Sequence, residues 1–239
     1  FFLEKAQDAP YAAYIEFDEH TIISTSPELF FKLIGGSLIC KPMKGTSKRG
    51  KTLHEDIALM EELKNSEKDK AENIMITDML RNDMGKISEI GSVKVLSEFD
   101  IEKFQTVWQM TSSIESRTSA SITGIFEALF PCASVTGAPK VSSMKIISEI
   151  EGQPREIYTG AIGYISPNNE AQFSVPIRTI LCNKKARQSV YGTGSGVVWD
   201  SESEAEWEEC HTKSAILSTT HQNFELFETM RCDLNKKIF

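Results

Sequence analysis

What this sequence lacks narrows it quickly. The five cysteines (Cys40, Cys132, Cys182, Cys210 and Cys232) are odd in number and widely spaced, with no CxxC pair. That excludes a zinc knuckle and gives no disulfide framework, so a reducing, cytoplasmic setting is expected. No apolar run is long enough to span a membrane. Positive charge is in deficit: 26 basic against 34 acidic residues leave a net charge of −8, so neither nucleic acid nor an anionic membrane surface is an expected partner. Internal repeats and low-complexity stretches are missing, as is a Ser-His-Asp or Cys-His arrangement; the neighbours Cys210 and His211 read as incidental. A dinucleotide fingerprint fails too. In Gly192-Thr193-Gly194-Ser195-Gly196 the third glycine position falls on Val197, and Val197-Val198-Trp199 continues as strand where a helix should open.

The 239 residues, 40% hydrophobic and 25% charged, suffice for one large globular domain or two smaller ones. The chain opens on Phe1-Phe2 without an initiator Met and is expected to be part of something longer. Its first stretch reads as β. Segments 12–17 and 21–24 flank a turn at Asp18-Glu19-His20, and segments 29–34 and 37–41 flank Gly35-Gly36. Helices are predicted over 52–64, with a stripe at Ile57, Met60 and Leu63, and over 67–84, opened by a capping box of Ser66 with Asp69. A strand follows at 93–97, then an ambiguous segment 104–116, a helix 123–130 stopped by Pro131, and another helix from Gly137-Ala138-Pro139 to Ile150. The pattern returns to strand at 161–165, 171–181 and 189–199, and ends in a helix over 203–217 with a second capping box, Ser203 with Glu206. Hairpin-linked strands separated by helical blocks predict an α+β fold with mostly antiparallel sheet. From about Ser218 a polar linker leads into a new apolar pattern, Phe224 to Ile238.

Several groupings carry chemistry. Lys44, in the short segment Lys41-Pro42-Met43-Lys44-Gly45-Thr46 between the hairpins and the helices, is either a solvated loop lysine or, once unprotonated, a nucleophile. Gly45 would allow close approach of a ligand and Thr46 offers a hydroxyl. Glu206, Glu209 and Lys213 share one helical face, as do Asp69 and Glu72. Oxygen-only pairs of this kind suit magnesium, and equally suit solvated surfaces with Glu–Lys pairs. Asp78 with Arg81 reads as an ion pair among apolar neighbours. Arg178, placed within a strand, and Tyr158 are candidate carboxylate ligands, or else a surface charge and a core aromatic. Exposed backbone amides at Gly194–Gly196, or ahead of the helix after Pro139, could face an anion.

Taken in order, these pieces resemble the chorismate-utilising enzymes, which include anthranilate, aminodeoxychorismate, isochorismate and salicylate synthases. The matching segments are Ser26-Pro27-Glu28-Leu29-Phe30, Pro42-Met43-Lys44-Gly45-Thr46, and Ala71-Glu72-Asn73 with Asp78-Met79-Leu80-Arg81-Asn82-Asp83. Later come Ser134-Val135-Thr136-Gly137-Ala138-Pro139-Lys140, Tyr158-Thr159-Gly160-Ala161-Ile162-Gly163, Ile177-Arg178-Thr179, Gly194-Ser195-Gly196, and Glu206-Trp207-Glu208-Glu209 with Lys213. They cover nearly the whole chain up to about Leu217.

The resemblance implies a layered, mostly antiparallel β-sandwich with helices outside, lacking here its N-terminal part. Residues 1–217 would be the chorismate-binding catalytic domain and 218–239 a linker into a lyase-like domain, whose opening Phe224-Glu225-Leu226-Phe227-Glu228-Thr229-Met230-Arg231 resembles. Within the family a lysine at position 44 is similar to the aminodeoxychorismate synthase branch, on the way to para-aminobenzoate and folate; anthranilate synthases typically have alanine. Lys44 would then attack chorismate as the ring hydroxyl leaves, and ammonia from a glutamine amidotransferase subunit would displace it. The resemblance also implies magnesium (Mg2+) held by Glu72 and Glu209, supported by Glu206 and Asp69. It assigns substrate contacts to Gly45, Thr46, Gln109, Thr136, Tyr158, Arg178, Gly194, Ser195, Gly196 and Lys213. Many members carry a histidine where this chain has Gln109, which can hydrogen-bond but cannot supply a proton. Anthranilate synthesis, or a non-catalytic role in docking the amidotransferase, are the alternative readings.

Overall fold

Strand-forming runs and hairpin turns dominate both ends of the computed structural model, which describes residues 9–104, 107–214 and 217. β1 (Tyr11–Phe17) and β2 (His20–Ser26) form the first hairpin; β3 (Leu29–Ile34) and β4 (Ser37–Lys41) form the second, turning at Gly35 and Gly36 with φ of 54° and 79°. β5 (Met43–Lys48) follows at once, so Lys44 belongs to a strand, not to the loop read from the sequence. Helix α1 (Leu53–Asn65) is capped by Thr52, whose hydroxyl accepts the Glu55 N–H at 3.2 Å. Of its expected stripe Leu63 is buried, whereas Ile57 is 49% exposed. Helix α2 (Glu67–Gly85) starts at Ser66, which accepts the Asp69 N–H; the Ser66 N–H goes to Leu63 O, so only half of the capping box forms.

The ambiguous segment resolves as strand: β6 (Lys94–Lys103) and β7 (Val107–Arg117) make one long antiparallel pair. Helix α3 (Ile122–Leu129), a 3-10 turn (Ala133–Val135) and helix α4 (Lys140–Glu151) lead to β8 (Ile162–Ile165) and β9 (Ala171–Ser174). The single strand expected over 171–181 is two. β9 ends at Ser174, and β10 (Thr179–Asn183) begins after a bend in which Arg178 has φ 52°. Arg178 therefore lies between strands, its backbone held in the left-handed region. β11 (Gln188–Tyr191) is also short, because the glycines that follow leave 192–198 without regular structure. Helix α5 (Ser203–Ser214) closes the described chain. Ser203 is its first residue, not its cap, and the Glu206 carboxylate accepts from Ser201, so the second capping box does not form. The lyase-like segment from 218 lies outside the described residues.

Among the described residues the strands form two antiparallel sheets, β1-β2-β10-β11 and β5-β7-β4-β3-β9-β8, with β6 on the other side of β7. The fold is α+β, as expected. No helix among the described residues is long and apolar enough to cross a membrane. The main core lies between the larger sheet and helices α2 and α3. Phe30, Phe31, Leu38, Ile76, Leu80, Met84, Ile114, Ile125 and Leu129 are all buried there. Phe126 meets Phe31 and Phe173 edge-on at 5.3 and 4.9 Å, each contact worth about 1 kcal/mol beyond the area it buries.

Polar ties then fix α2 on the sheet. Asn73, 1% exposed, accepts from the hydroxyls of Ser112 (2.5 Å) and Thr77 (3.5 Å) through Oδ1 and donates to the Lys44 carbonyl at 3.4 Å. At the far end of the helix, buried Asp83 accepts from Lys140 at 2.5 Å and Lys86 at 2.7 Å, and Lys140 also donates to the Leu129 carbonyl. The Asp78–Arg81 pair forms at 2.8 Å, but on the surface. Asn73→Ala strands the Ser112 hydroxyl in the core and is expected to cost about 2 kcal/mol in urea unfolding. A loss under ~0.5 kcal/mol would mean that the helix is seated by its apolar face alone.

Candidate active site

Strand β5 pairs with β7 through Met43↔Thr111 and Thr46↔Gln109, three steps against two, so one residue is extra at Lys44-Gly45. Such a bulge re-aims a side chain. Gly45 has φ +95°, and a Cβ there would stand 3.1 Å from Asp69 Cβ and 3.2 Å from Met110 Cβ. Sheet, bulge and helix together leave Lys44 Nζ 3.7 Å from Glu72 Oε2, the two side chains only 20% and 18% exposed.

Glu28 is the residue that spacing arguments passed over. It is 3% exposed, and its Oε1 is buried without a hydrogen-bond partner. Burial pushes its carboxyl up to about 7, against the opposing pull of a Ser134 hydrogen bond, the Lys44 charge and the Met43 backbone. Glu28 is thus a proton-holding group within electrostatic reach of Lys44. A signal was present in the sequence: Glu28 is a lone acid between Pro27 and the apolar run Leu29-Phe30-Phe31, which carries its neighbour toward the core.

A glycine-rich strap, residues 192–198, crosses the other side of the lysine. Gly192 lies against the Tyr158 ring, where a Cβ would come within 2.3 Å, and Gly194 lies against the Tyr158 hydroxyl. The strap hangs from α5: Lys213 Nζ donates to the Gly194 carbonyl at 2.8 Å while pairing with Glu209 at 2.6 Å, and Thr193 donates to the Cys210 carbonyl. Glu206 accepts from Ser201 at 2.6 Å, and its Oε2 is buried with no hydrogen-bond partner; the nearby Ser195 hydroxyl, then Ser201, hold the carboxyl below its ordinary range. An open cleft of about 380 Å³ on this side is lined by Ser195, Ser201, Glu206, Trp207 and Cys210, among others.

The remaining predicted residues fall as follows. Gln109 is buried and donates to the Thr46 hydroxyl at 3.0 Å, which couples those two positions across the β5–β7 pair. The Thr136 hydroxyl caps the 3-10 turn by donating to the Cys132 and Ala133 carbonyls, so it faces its own backbone. Burial raises Tyr158 to about 12, which keeps it a hydroxyl donor. Burial lowers Arg178, with Tyr191 opposing.

Of the acids expected to hold magnesium, Asp69 packs on Gly45, Glu72 faces Lys44, Glu209 is paired with Lys213, and Glu206 keeps one buried oxygen unclaimed. Among the described residues no three His, Cys, Asp or Glu side chains form a group that could hold a metal ion, so the four acids are not assembled into one cage. Their chemistry still fits a hard cation, since the set offers oxygen alone and one of those oxygens lacks a partner.

Known proteins share much of this sequence and its fold. The model of the chorismate binding enzyme family matches residues 2–219. The chain is 40% identical over 214 residues to aminodeoxychorismate synthase component 1 of Bacillus subtilis, covering 89% of this chain and 45% of that protein. It is 38% identical over 211 residues to anthranilate synthase component 1 of Aquifex aeolicus, covering 87% and 42%. The crystal structure of anthranilate synthase component I from Streptococcus pneumoniae superposes with a TM-score of 0.78 at 32% identity, over 87% of this chain and 46% of that one. The chain thus spans less than half the length of each of these relatives. A family match over residues 2–219, with relatives about 40% identical over most of the chain, leads to one conclusion: the chain belongs to the chorismate-binding enzyme family.

Proposed function

We propose that residues 1–217 are the catalytic portion of an aminodeoxychorismate synthase component I, which converts chorismate and ammonia to 4-amino-4-deoxychorismate and water, and that 218–239 begin a lyase-like unit. The observation that carries this reading is the lysine at position 44, presented by a bulged strand between Glu72 and the glycine strap. Similarity to an aminodeoxychorismate synthase component 1 supports it.

The amine attacks only when uncharged, and Glu72 is the carboxylate placed to take its proton. The Nζ lone pair then bonds to ring C2, the ring double bonds shift, and the C4–O bond breaks. Glu28, protonated near neutrality, supplies the proton with which the hydroxyl departs as water. Ammonia next adds at C4, the double bonds shift back, and the C2–N bond breaks. Lys44 leaves with the proton that Glu72 held, while the proton shed by the new amine returns to Glu28. Gln109 cannot act as the acid, so the buried carboxyl is the group to which that task falls. Arg178, Tyr158, Lys213 and the backbone of the strap would hold the substrate's carboxylates, with Thr46 and Thr136 beside them. The resemblance gives magnesium to Glu72 and Glu209, with Glu206 and Asp69 in support. With Glu72 engaged by the Lys44 amine, the ion would be held by Glu209, supported by Glu206 and Asp69, and would supply counter-charge for a substrate carboxylate in this acidic chain. Ammonia would come from a glutamine amidotransferase subunit, in keeping with the "component 1" in the relative's name.

Similarity to an anthranilate synthase supports a second reading, in which no lysine adduct forms. With chorismate, ammonia and magnesium, the proposal expects 4-amino-4-deoxychorismate; release of anthranilate selects the second reading. Lys44→Ala should slow aminodeoxychorismate formation by roughly 100-fold, about 2.7 kcal/mol of barrier, and an unchanged rate removes the covalent step. Glu28 also makes a prediction independent of turnover. Its carboxyl ionises near 4.5 in the unfolded chain and near 7 in the folded one, so the parent loses stability as pH rises through that window. Glu28→Gln should escape that loss, its stability relative to the parent growing by about 3 kcal/mol between pH 4 and pH 8 in denaturant titrations. A difference independent of pH would show that Glu28 ionises normally and is unfit to serve as the acid.

A further inference from the structure

We propose that Thr25 is a positioning residue for Arg178: its hydroxyl and its backbone N–H together hold the bend from which the guanidinium is presented. This role rests on the reading of Arg178 as a ligand for a substrate carboxylate for its catalytic meaning, though not for its geometry.

Two stretches of chain change sheet side by side. One leaves β2 of the smaller sheet at Ser26 and enters β3 of the larger sheet at Leu29. The other leaves β9 of the larger sheet at Ser174 and enters β10 of the smaller sheet at Thr179. The two corners are bonded to each other. The Val175 N–H donates to the Glu28 carbonyl at 3.1 Å, and the Ser26 hydroxyl donates to the Val175 carbonyl at 2.5 Å. Ser24, Thr25 and Ser26 are all buried, and each hydroxyl of this run meets the second corner or its edge: Ser24 at the Thr179 hydroxyl (2.8 Å), Thr25 at the Arg178 carbonyl and Ser26 at the Val175 carbonyl.

Arg178 makes the turn. Its φ of 52° lies in the left-handed region, which a residue with a side chain keeps only where its surroundings hold it there. The holding group is Thr25: its N–H and its hydroxyl both donate to the Arg178 carbonyl, each at 3.1 Å. Two bonds from one buried residue fix the peptide plane that leaves Arg178, and with it the direction in which the side chain projects. The guanidinium itself is half-buried, and among the described residues no acid pairs with it and no hydrogen bond engages it. A rigid backbone beneath a guanidinium with free donors is the preorganised state in which a carboxylate can be taken at little further ordering cost.

The hydroxyl is the half of this grip that a substitution can remove. In Thr25→Val the carbonyl loses one of its two donors, and a methyl carbon takes the place of an oxygen 3.1 Å away, inside the C···O separation of about 3.3 Å at which such contacts begin. The bend loosens at Arg178, while the bonds of Ser24 and Ser26 on either side keep the two corners joined.

The first test needs no substrate. The full chain, as parent, Thr25→Val, Thr25→Ser and Ser24→Ala, is treated with phenylglyoxal, and modification of Arg178 is followed by peptide mass spectrometry against the exposed Arg187. Ser24→Ala is the control, since it deletes the neighbouring buried hydroxyl bond without touching the Arg178 carbonyl. The expected result is Arg178 modified about fivefold faster in Thr25→Val, the factor carried by one ordinary hydrogen bond, with rates near the parent in Thr25→Ser and Ser24→Ala. An unchanged or slower rate in Thr25→Val overturns the proposal, as does equal acceleration in Thr25→Ser or Ser24→Ala. In calorimetry, Thr25→Val should weaken chorismate binding about fivefold, and should add nothing to the loss caused by Arg178→Ala. Additive losses overturn the proposal, because Thr25 would then act through another group. A parent chain that binds no chorismate counts against the aminodeoxychorismate reading, and the labelling alone then decides the role of Thr25.

Discussion

The buried side-chain amide of Asn73 is the constraint from which the site takes its register. An unpaired amide in the core would cost more than most single packing contacts return, so the helix rotates to the one angle that satisfies it against Ser112 and the Lys44 carbonyl. Once that angle is set, the helical period does the rest. Asp69 comes against the glycine of the bulge, Glu72 comes opposite the lysine, and Ile76, Leu80 and Met84 enter the core. Asp83, at the far end of the same face, reaches Lys140 and anchors the start of α4. One amide thus orients apolar and charged residues together.

Charge is handled by the same logic. The chain is acidic overall, yet its cleft-side lysines are each held by a helical carboxylate: Lys44 by Glu72 and Lys213 by Glu209, while Lys140 with Asp83 braces the scaffold behind them. Partly buried pairs of this kind keep the cations from collapsing onto wrong partners, at a desolvation cost that the hydrogen bonds around them offset. A dianionic ligand entering such a cleft would compete with the carboxylates for ammonium groups already oriented. Glu206, with one buried oxygen that lacks a hydrogen-bond partner, lies beside the strap that such a ligand would touch.

Much of this was legible in the sequence, for identifiable reasons. Both N-terminal hairpins and helices α1 to α4 follow from turn glycines, caps and proline stops, which are local signals. What failed was long-range. Nothing local reveals that β9 and β10 belong to different sheets, since the break is made by the left-handed backbone of Arg178, and arginine carries no preference for that conformation. The strap looked like strand because valine and tryptophan follow it, but three alternate glycines leave too little side chain to hold a ladder. Lys44 looked like a loop residue because a bulge breaks the alternation by which strands are recognised. Ser203 with Glu206 matched a capping box by spacing, and the carboxylate found a nearer hydroxyl. Glu28 was missed for the opposite reason: strand propensity was read from Leu29 onward, and the lone acid just ahead of the strand was not. The motif order pointed to the family even where element boundaries were wrong.

The bulge has one more consequence. A reactive amine carried on a loop must be brought to its target each time the loop orders, and the lost backbone freedom counts against every encounter. In a sheet, flanked by β7 and pressed upon by α2, the backbone of Lys44 has already surrendered that freedom during folding. Only the side-chain torsions remain to be restricted, so the amine is offered at a high effective concentration, and the entropy of bringing it to a bound ring belongs to the stability of the fold and not to the barrier of the reaction.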